Sequence, residues 1–163
     1  MSEIRAISWV NDGLILIDQT KLPHQEINLN IETVDQLVDA IMKLAVRGAP
    51  ALGAAGAWGV VVAMRQAEKE KWSEQKRSEE FLRIRNARPT AVNLAWGVDK
   101  VLPFVAQGVN EVLAQANKIA LEDEAGNRQM GKFGSSWIES KVKNRPIRAL
   151  THCNTGSLAT TTW

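Results

Sequence analysis

Arg47-Gly48-Ala49-Pro50-Ala51-Leu52-Gly53-Ala54-Ala55-Gly56-Ala57-Trp58-Gly59-Val60-Val61 is the stretch on which the fold turns. Arg47 to Pro50 interrupts the pattern before it, and Pro50 suits the first turn of a helix, where its missing amide hydrogen would have had no partner. The apolar run that follows predicts a helix to about Ala67. Within it Gly53, Gly56 and Gly59 fall three apart. A glycine inside a helix costs about 1 kcal/mol against alanine, so three at this spacing imply that something packs closely on that face. Close helix packing is the favoured reading, and a bound ligand the other.

Upstream, Ile4 to Val10 and Leu14 to Ile17 are β-rich runs separated by Asn11-Asp12-Gly13, a hairpin signal in which Gly13 would accept positive φ. Leu22-Pro23 closes the second strand region. Thr33-Val34-Asp35-Gln36 then matches a capping box ahead of Val34, Leu37, Val38, Ile41, Met42 and Ala45, which form one helical stripe. Downstream, Glu68 to Glu80 is a charged run that reads as a solvated helix end and loop. Arg88-Pro89-Thr90 repeats the order of Arg then Pro at a helix start, with Ala95, Val98, Val101, Leu102 and Val105 on the following face. Further helices are expected from about Asn110 to Glu122 and from Met130 to Ile138, with a loop at Gly126-Asn127.

After Lys141 the character changes. Ile147-Arg148-Ala149-Leu150-Thr151 reads as a short strand feeding the turn His152-Cys153-Asn154-Thr155-Gly156, with a helix opening at Ser157 to Trp163. Strand, tight turn and helix start are how an α/β domain begins. The expected fold class is therefore α+β. Residues 1–140 would form a β-hairpin and helical domain, and residues 141–163 would open an incomplete α/β domain. One strand and the start of one helix cannot bury their own apolar faces, so a continuation or a second chain is expected to supply the rest.

The chain has 163 residues, 45% of them hydrophobic, enough for one sizeable core, and its composition excludes a disordered or collagen-like chain. Its net charge of +2 comes from scattered basic residues and asks for no nucleic-acid partner. One cysteine and two distant histidines give no zinc spacing and no intramolecular disulfide. A reducing cytoplasmic setting is the default. The most apolar stretch, Pro50 to Met64, is short and rich in Gly and Ala, so no membrane span is expected. Without a Walker loop, a dinucleotide fingerprint or a ligand cluster, neither a cofactor nor a metal is expected.

Three local features could carry chemistry. Cys153 falls where a strand would meet a helix, where the helix dipole and free amides favour thiolate; the alternative is an ordinary buried cysteine. Arg47 with Gly48 and Ala49 puts a guanidinium beside a glycine turn and a helix N-terminus, which suits a phosphate dianion, although an ordinary surface arginine has the same local sequence. Arg88 doubles the pattern. His152-Cys153-Asn154 is not a protease constellation, because neighbours on a turn point apart. His152 is read as a core or supporting histidine, and His24 as a loop residue.

Several segments taken in order resemble one family, the methylthioribose-1-phosphate isomerases. They are Leu16-Ile17-Asp18-Gln19 with Leu22-Pro23, Val46-Arg47-Gly48-Ala49-Pro50-Ala51, Arg88-Pro89-Thr90-Ala91-Val92-Asn93-Leu94, and Leu150-Thr151-His152-Cys153-Asn154-Thr155-Gly156 with Leu158-Ala159-Thr160. The resemblance implies isomerisation of 5-methylthioribose 1-phosphate, a small sugar phosphate, to 5-methylthioribulose 1-phosphate in methionine salvage. It also implies substrate contacts from Arg47, Gly48, Ala49 and Arg88, and help at the transition state from Cys153. Members of the family run to about twice this length, continue into a Rossmann-like domain that holds the aspartate proton donor, and commonly form homodimers. On that comparison the chain is expected to stop before the enzyme is complete, and to be inactive alone. Two relatives offer alternatives: a ribose 1,5-bisphosphate isomerase, and the non-catalytic regulatory subunits of the translation-initiation exchange factor.

Overall fold

The computed structural model describes residues 5–143, 146–152 and 156–162. It opens on a meander. Strands β1 (Ile7–Val10) and β2 (Gly13–Ile17) pair antiparallel with Ile7 opposite Leu16 and Val10 opposite Gly13. The turn takes its two left-handed residues at Asn11 (φ 49°) and Asp12 (φ 65°), whereas the expectation put positive φ on Gly13. Short polar side chains tolerate that conformation, and a turn with both central residues left-handed matches the strand twist. The anticipated start at Ile4 lies outside the described residues.

A third strand, β3 (Asn28–Ile31), pairs with the other edge of β2, Leu14 facing Ile31 and Leu16 facing Leu29. Its asparagines are poor strand formers, so the sequence signal is weak; the free edge of β2 supplies what propensity does not. Ile7, Leu14, Leu16 and Ile31 bury the inner face of the sheet.

Helix α1 (Val34–Met42) begins on the expected capping box: Thr33 Oγ1 accepts from the Gln36 amide, and Gln36 Oε1 accepts from the Thr33 amide, both at 3.2 Å. Val34, Leu37, Val38 and Ile41 are buried, but Met42 is exposed because the chain leaves the helix through Leu44 at φ 63°. Helix α2 (Ala49–Glu70) runs for 22 residues and is buried on every side from Ala51 to Met64. Burying side chains such as Leu52, Val60 and Val61 contributes roughly 1.5–3 kcal/mol each.

The charged run divides differently from expectation. Ser73 caps a further helix, α3 (Glu74–Arg85), which buries Glu80, Phe81 and Ile84 and leaves the rest wet. Helix α4 (Val92–Val101) follows a turn that contains Arg88-Pro89-Thr90, so Pro89 precedes the helix instead of starting it. A 3-10 helix (Leu102–Gln107) leads into α5 (Val109–Lys141), one continuous helix of 33 residues. The expected break at Gly126-Asn127 does not occur. Bonds one turn apart, such as Arg128 to Glu124 at 2.8 Å and Asn127 to Asp123 at 3.3 Å, support the helix through its glycines.

The glycine stripe is explained by packing. A Cβ on Gly56 would stand 2.4 Å from the Leu94 carbonyl oxygen, and one on Gly97 would stand 1.9 Å from that of Gly53. The backbones of α2 and α4 therefore touch. Gly59 faces the side chains of Leu37 and Ile84, which brings α1 and α3 onto the same helix. On its other side Trp58 donates from Nε1 to Asn117 of α5 at 2.9 Å.

The last described residues depart from expectation. Residues 146–152 form no strand, and residues 156–162 form turns instead of a helix. A strand needs a neighbour to satisfy its backbone, and among the described residues these have none; Leu150 is fully exposed.

Arg85 and Asp99 join α3 to α4 through two bonds, 2.8 Å from Nε and 2.9 Å from Nη2, and so brace the turn that holds Arg88. The guanidinium's hydrogen bonds hold the Asp99 carboxyl below its ordinary value of 3.8. Two predictions follow from this packing. Gly97→Ala should lose about 1–3 kcal/mol of stability in urea titration through overpacking, whereas Gly131→Ala, with nothing within 4 Å, should gain about 0.5–1 kcal/mol. A depressed carboxylate stabilises the fold above its unfolded pKa and ceases to as pH falls through its folded one. The melting temperature of Asp99→Asn should therefore lie slightly below wild type at pH 7, and the gap should close below 3.8; a gap unchanged by acid would contradict the pairing.

Candidate functional site

Arg47 sits between two helices because the chain must turn sharply after α1. The Ala45 amide bonds the Ala40 carbonyl at 2.9 Å, and the Gln19 amide bonds the Ala45 carbonyl at 3.0 Å, which fastens the turn to the residue two beyond β2. Gln19 is 3% exposed. Its Oε1 accepts from Arg47 Nε at 3.4 Å, and its Nε2 donates to the Leu158 carbonyl at 2.9 Å.

Gly48 caps α2 with extended backbone, and the reason for glycine here is steric. A Cβ at this position would lie 2.1 Å from the Ala159 carbonyl oxygen. That oxygen also accepts from the Ala51 amide at 3.3 Å. Segment 156–162 thus lies directly on the N-terminus of α2. Its far end is tied to α5, where Asp123 Oδ2 accepts from both the amide and the hydroxyl of Thr161, each at 2.9 Å. Ala159, Thr160, Thr161 and Thr162 are buried.

The electrostatics of this corner favour an anion in part. The positive end of the α2 dipole and the exposed Arg47 guanidinium share it. Pro50 has no amide hydrogen and Ala51 gives its own to Ala159, so among the described residues the amides of Gly48 and Ala49 are the first-turn donors without a partner. Arg88 lies in the neighbouring turn. Gly53 of α2 and Asn93 of α4 meet where those helices cross, so both helix starts approach one place. Arg88 is half-buried, and its Nη1 is buried without a hydrogen-bond partner among the described residues. A buried guanidinium nitrogen left in this state is where an acceptor would be favourable.

A cleft of about 790 Å³ opens beside this corner, lined by Pro50, Met130, Arg128, Ala159 and Thr160 among others. Neither Arg47 nor Arg88 belongs to its lining. Among the described residues no group of three or more His, Cys, Asp or Glu side chains could hold a metal ion, and no helix is long and apolar enough to cross a membrane.

The structure therefore brings together Arg47, Gly48 and Ala49, and places Arg88 separately in the turn before α4. Cys153 lies outside the described residues. His152 is exposed, which removes the core reading of that histidine. Sequence reasoning missed Gln19, Thr161 and Asp123. Gln19 was visible only as part of a matching segment, since a buried glutamine has no periodic signature, and the Thr161–Asp123 bond joins residues whose spacing in sequence gives no hint of it.

Comparison with known proteins gives this arrangement its context. Residues 45–162 match the model of the initiation factor 2 subunit family. A methylthioribose-1-phosphate isomerase from Xanthomonas campestris pv. campestris is 45% identical over 96% of this chain and 45% of its own. The crystal structure of 5-methylthioribose 1-phosphate isomerase from Pyrococcus horikoshii superposes with a TM-score of 0.81 at 31% identity, covering 99% of this chain and 47% of that one. The delta subunit of translation initiation factor eIF-2B from A. fulgidus superposes at 0.79 with 42% identity, over 98% and 48%. The chain spans about half the length of the relatives it matches. On the family match, supported by these likenesses over nearly its whole length, the chain belongs to the initiation factor 2 subunit family.

Proposed function

We propose that the chain is the N-terminal half of an aldose–ketose isomerase that converts 5-methylthioribose 1-phosphate to 5-methylthioribulose 1-phosphate, acting in the cytoplasm in methionine salvage. The observation that carries this reading is the contact of Ala159 with Gly48, which fastens the segment that follows Cys153 to the turn of Arg47. The isomerase relatives, matched over nearly all of the chain, support it.

In this reading residues 141–163 open a Rossmann-like domain, and Ile147–Thr151 becomes a strand when neighbouring strands are present. Arg47 and the Gly48 and Ala49 amides take the substrate phosphate, with Arg88 adding a second cation. The phosphate on C1 prevents ordinary ring opening. An acid from the second half protonates the ring oxygen as its bond to C1 breaks; hydrogen moves from C2 to C1, and the C2 hydroxyl gives up its proton as it becomes the ketone. Cys153 stands beside those carbons as a polarised thiol. The same second half supplies the surface for a homodimer, or arrives as a separate chain.

A second reading rests on the likeness to the eIF-2B delta subunit. It gives the chain an assembly role without catalysis, in which Arg47 and Cys153 would have no chemical task.

The test is to join the chain to the C-terminal half of the Xanthomonas relative and follow the sugar phosphate by NMR. Turnover is expected in the joined protein and not in the chain alone. Arg47→Ala should lower kcat/KM by about 100-fold, chiefly through KM, and Cys153→Ser should lower kcat by a comparable factor. Turnover of ribose 1,5-bisphosphate in preference to the methylthio sugar would move the substrate. No turnover of either, in a joined protein that folds, would favour the assembly role.

A further inference from the structure

We propose that Gln19 is a positioning residue whose side-chain amide clamps segment 156–162 to the Arg47 turn and so sets the geometry of the site. The inference rests on the reading above, in which Arg47 and Cys153 serve one site. It concerns a residue that neither contacts the proposed substrate nor reacts.

Three bonds converge on Gln19. Its backbone amide donates to Ala45, two residues before Arg47; its Oε1 accepts from Arg47 itself; its Nε2 reaches across the fold to the Leu158 carbonyl. Gln19 is 3% exposed and both side-chain bonds are part-buried, the one to Arg47 facing an exposed guanidinium, so a side-chain amide that lost its partners would be left largely unsatisfied. No other common side chain of this length offers an acceptor and a donor at once. Glutamate keeps the acceptor but sets an oxygen against the Leu158 carbonyl, and methionine keeps the volume and has no N–H to donate.

The clamp also has a lever. Leu158 precedes Ala159, whose carbonyl sits on Gly48 and bonds the Ala51 amide, and Thr161 is tied to Asp123. The segment is therefore pinned at its start by Gln19 and at its end by α5. Four residues lie between Cys153 and Leu158, so loss of the first pin frees the end of the segment nearer Cys153 in sequence.

The experiment compares the whole chain with Gln19→Met and Gln19→Glu by hydrogen exchange and by alkylation of Cys153, its single cysteine. Exchange at the Ala51 and Ala159 amides should quicken by roughly ten-fold in both variants, while the Thr161 amide, held by Asp123, and Leu37 and Val60 in the core stay protected. The ratio of alkylation by anionic iodoacetate to that by neutral iodoacetamide reports cationic charge near the thiol. It should fall several-fold in Gln19→Met, an effect that loss of packing alone would not produce. Unchanged exchange at the Ala51 and Ala159 amides, protection retained in Gln19→Glu, equal loosening of Thr161, Leu37 and Val60, or a ratio unaltered by Gln19→Met would each overturn the proposal. Neither readout needs turnover. Absence of isomerase activity in the joined protein would therefore sink the functional reading and leave the clamp standing.

Discussion

The backbones of α2 and α4 touch, and the rest of the structure is arranged around that contact. Gly53, Gly56 and Gly97 remove the side chains that would keep the helices apart, and a Cβ on Gly97 would strike the Gly53 carbonyl at 1.9 Å. Close approach makes α2 a central strut, buried from Ala51 to Met64, against which α1, α3, α5 and the small sheet each lay an apolar face. It also fixes where the helices begin. With Gly53 one turn into α2 and Asn93 near the start of α4, the first turns of the two helices approach each other through packing that involves neither Arg47 nor Arg88.

A second use of glycine operates at Gly48, where the segment after Cys153 is accommodated. Ala159 lies where a Gly48 side chain would be, and Gln19 and Asp123 hold the segment at either end. Part of the helix N-terminus is thereby occupied by a backbone carbonyl, which accepts from the Ala51 amide. With Ala51 bonded to Ala159, the Gly48 and Ala49 amides are the first-turn donors without a partner among the described residues, and they are what the proposed site would use beside Arg47.

Features that depend on short-range chemistry were legible in the sequence. The hairpin at Asn11-Asp12, the Thr33 capping box, the start of α2 near Pro50 and the meaning of its glycines all follow from neighbours within a turn or two. Features that depend on distant partners were not. Strand β3 forms because β2 has a free edge, and α3 is a helix on the strength of Ser73 and two apolar residues, Phe81 and Ile84, amid charge. The glycines of α5 read locally as a break, yet bonds one turn apart carry the helix through them. At the site, the residue types at Arg47, Gly48 and Arg88 suggested anion binding. Gln19, which links two of the matching segments, gave no signal, since its role exists only once residues 139 apart are in contact.

The docking of segment 156–162 on α2 is the claim on which the site depends, and proton NMR of the folded chain tests it most directly. The Ala159 α-carbon lies 2.3 Å from where a Gly48 Cβ would stand, so a strong Overhauser cross-peak between the Gly48 and Ala159 α-protons is expected. Its absence, in a chain whose α2 and α4 resonances show native packing, would contradict the docking and with it the site proposed for Arg47 and Cys153.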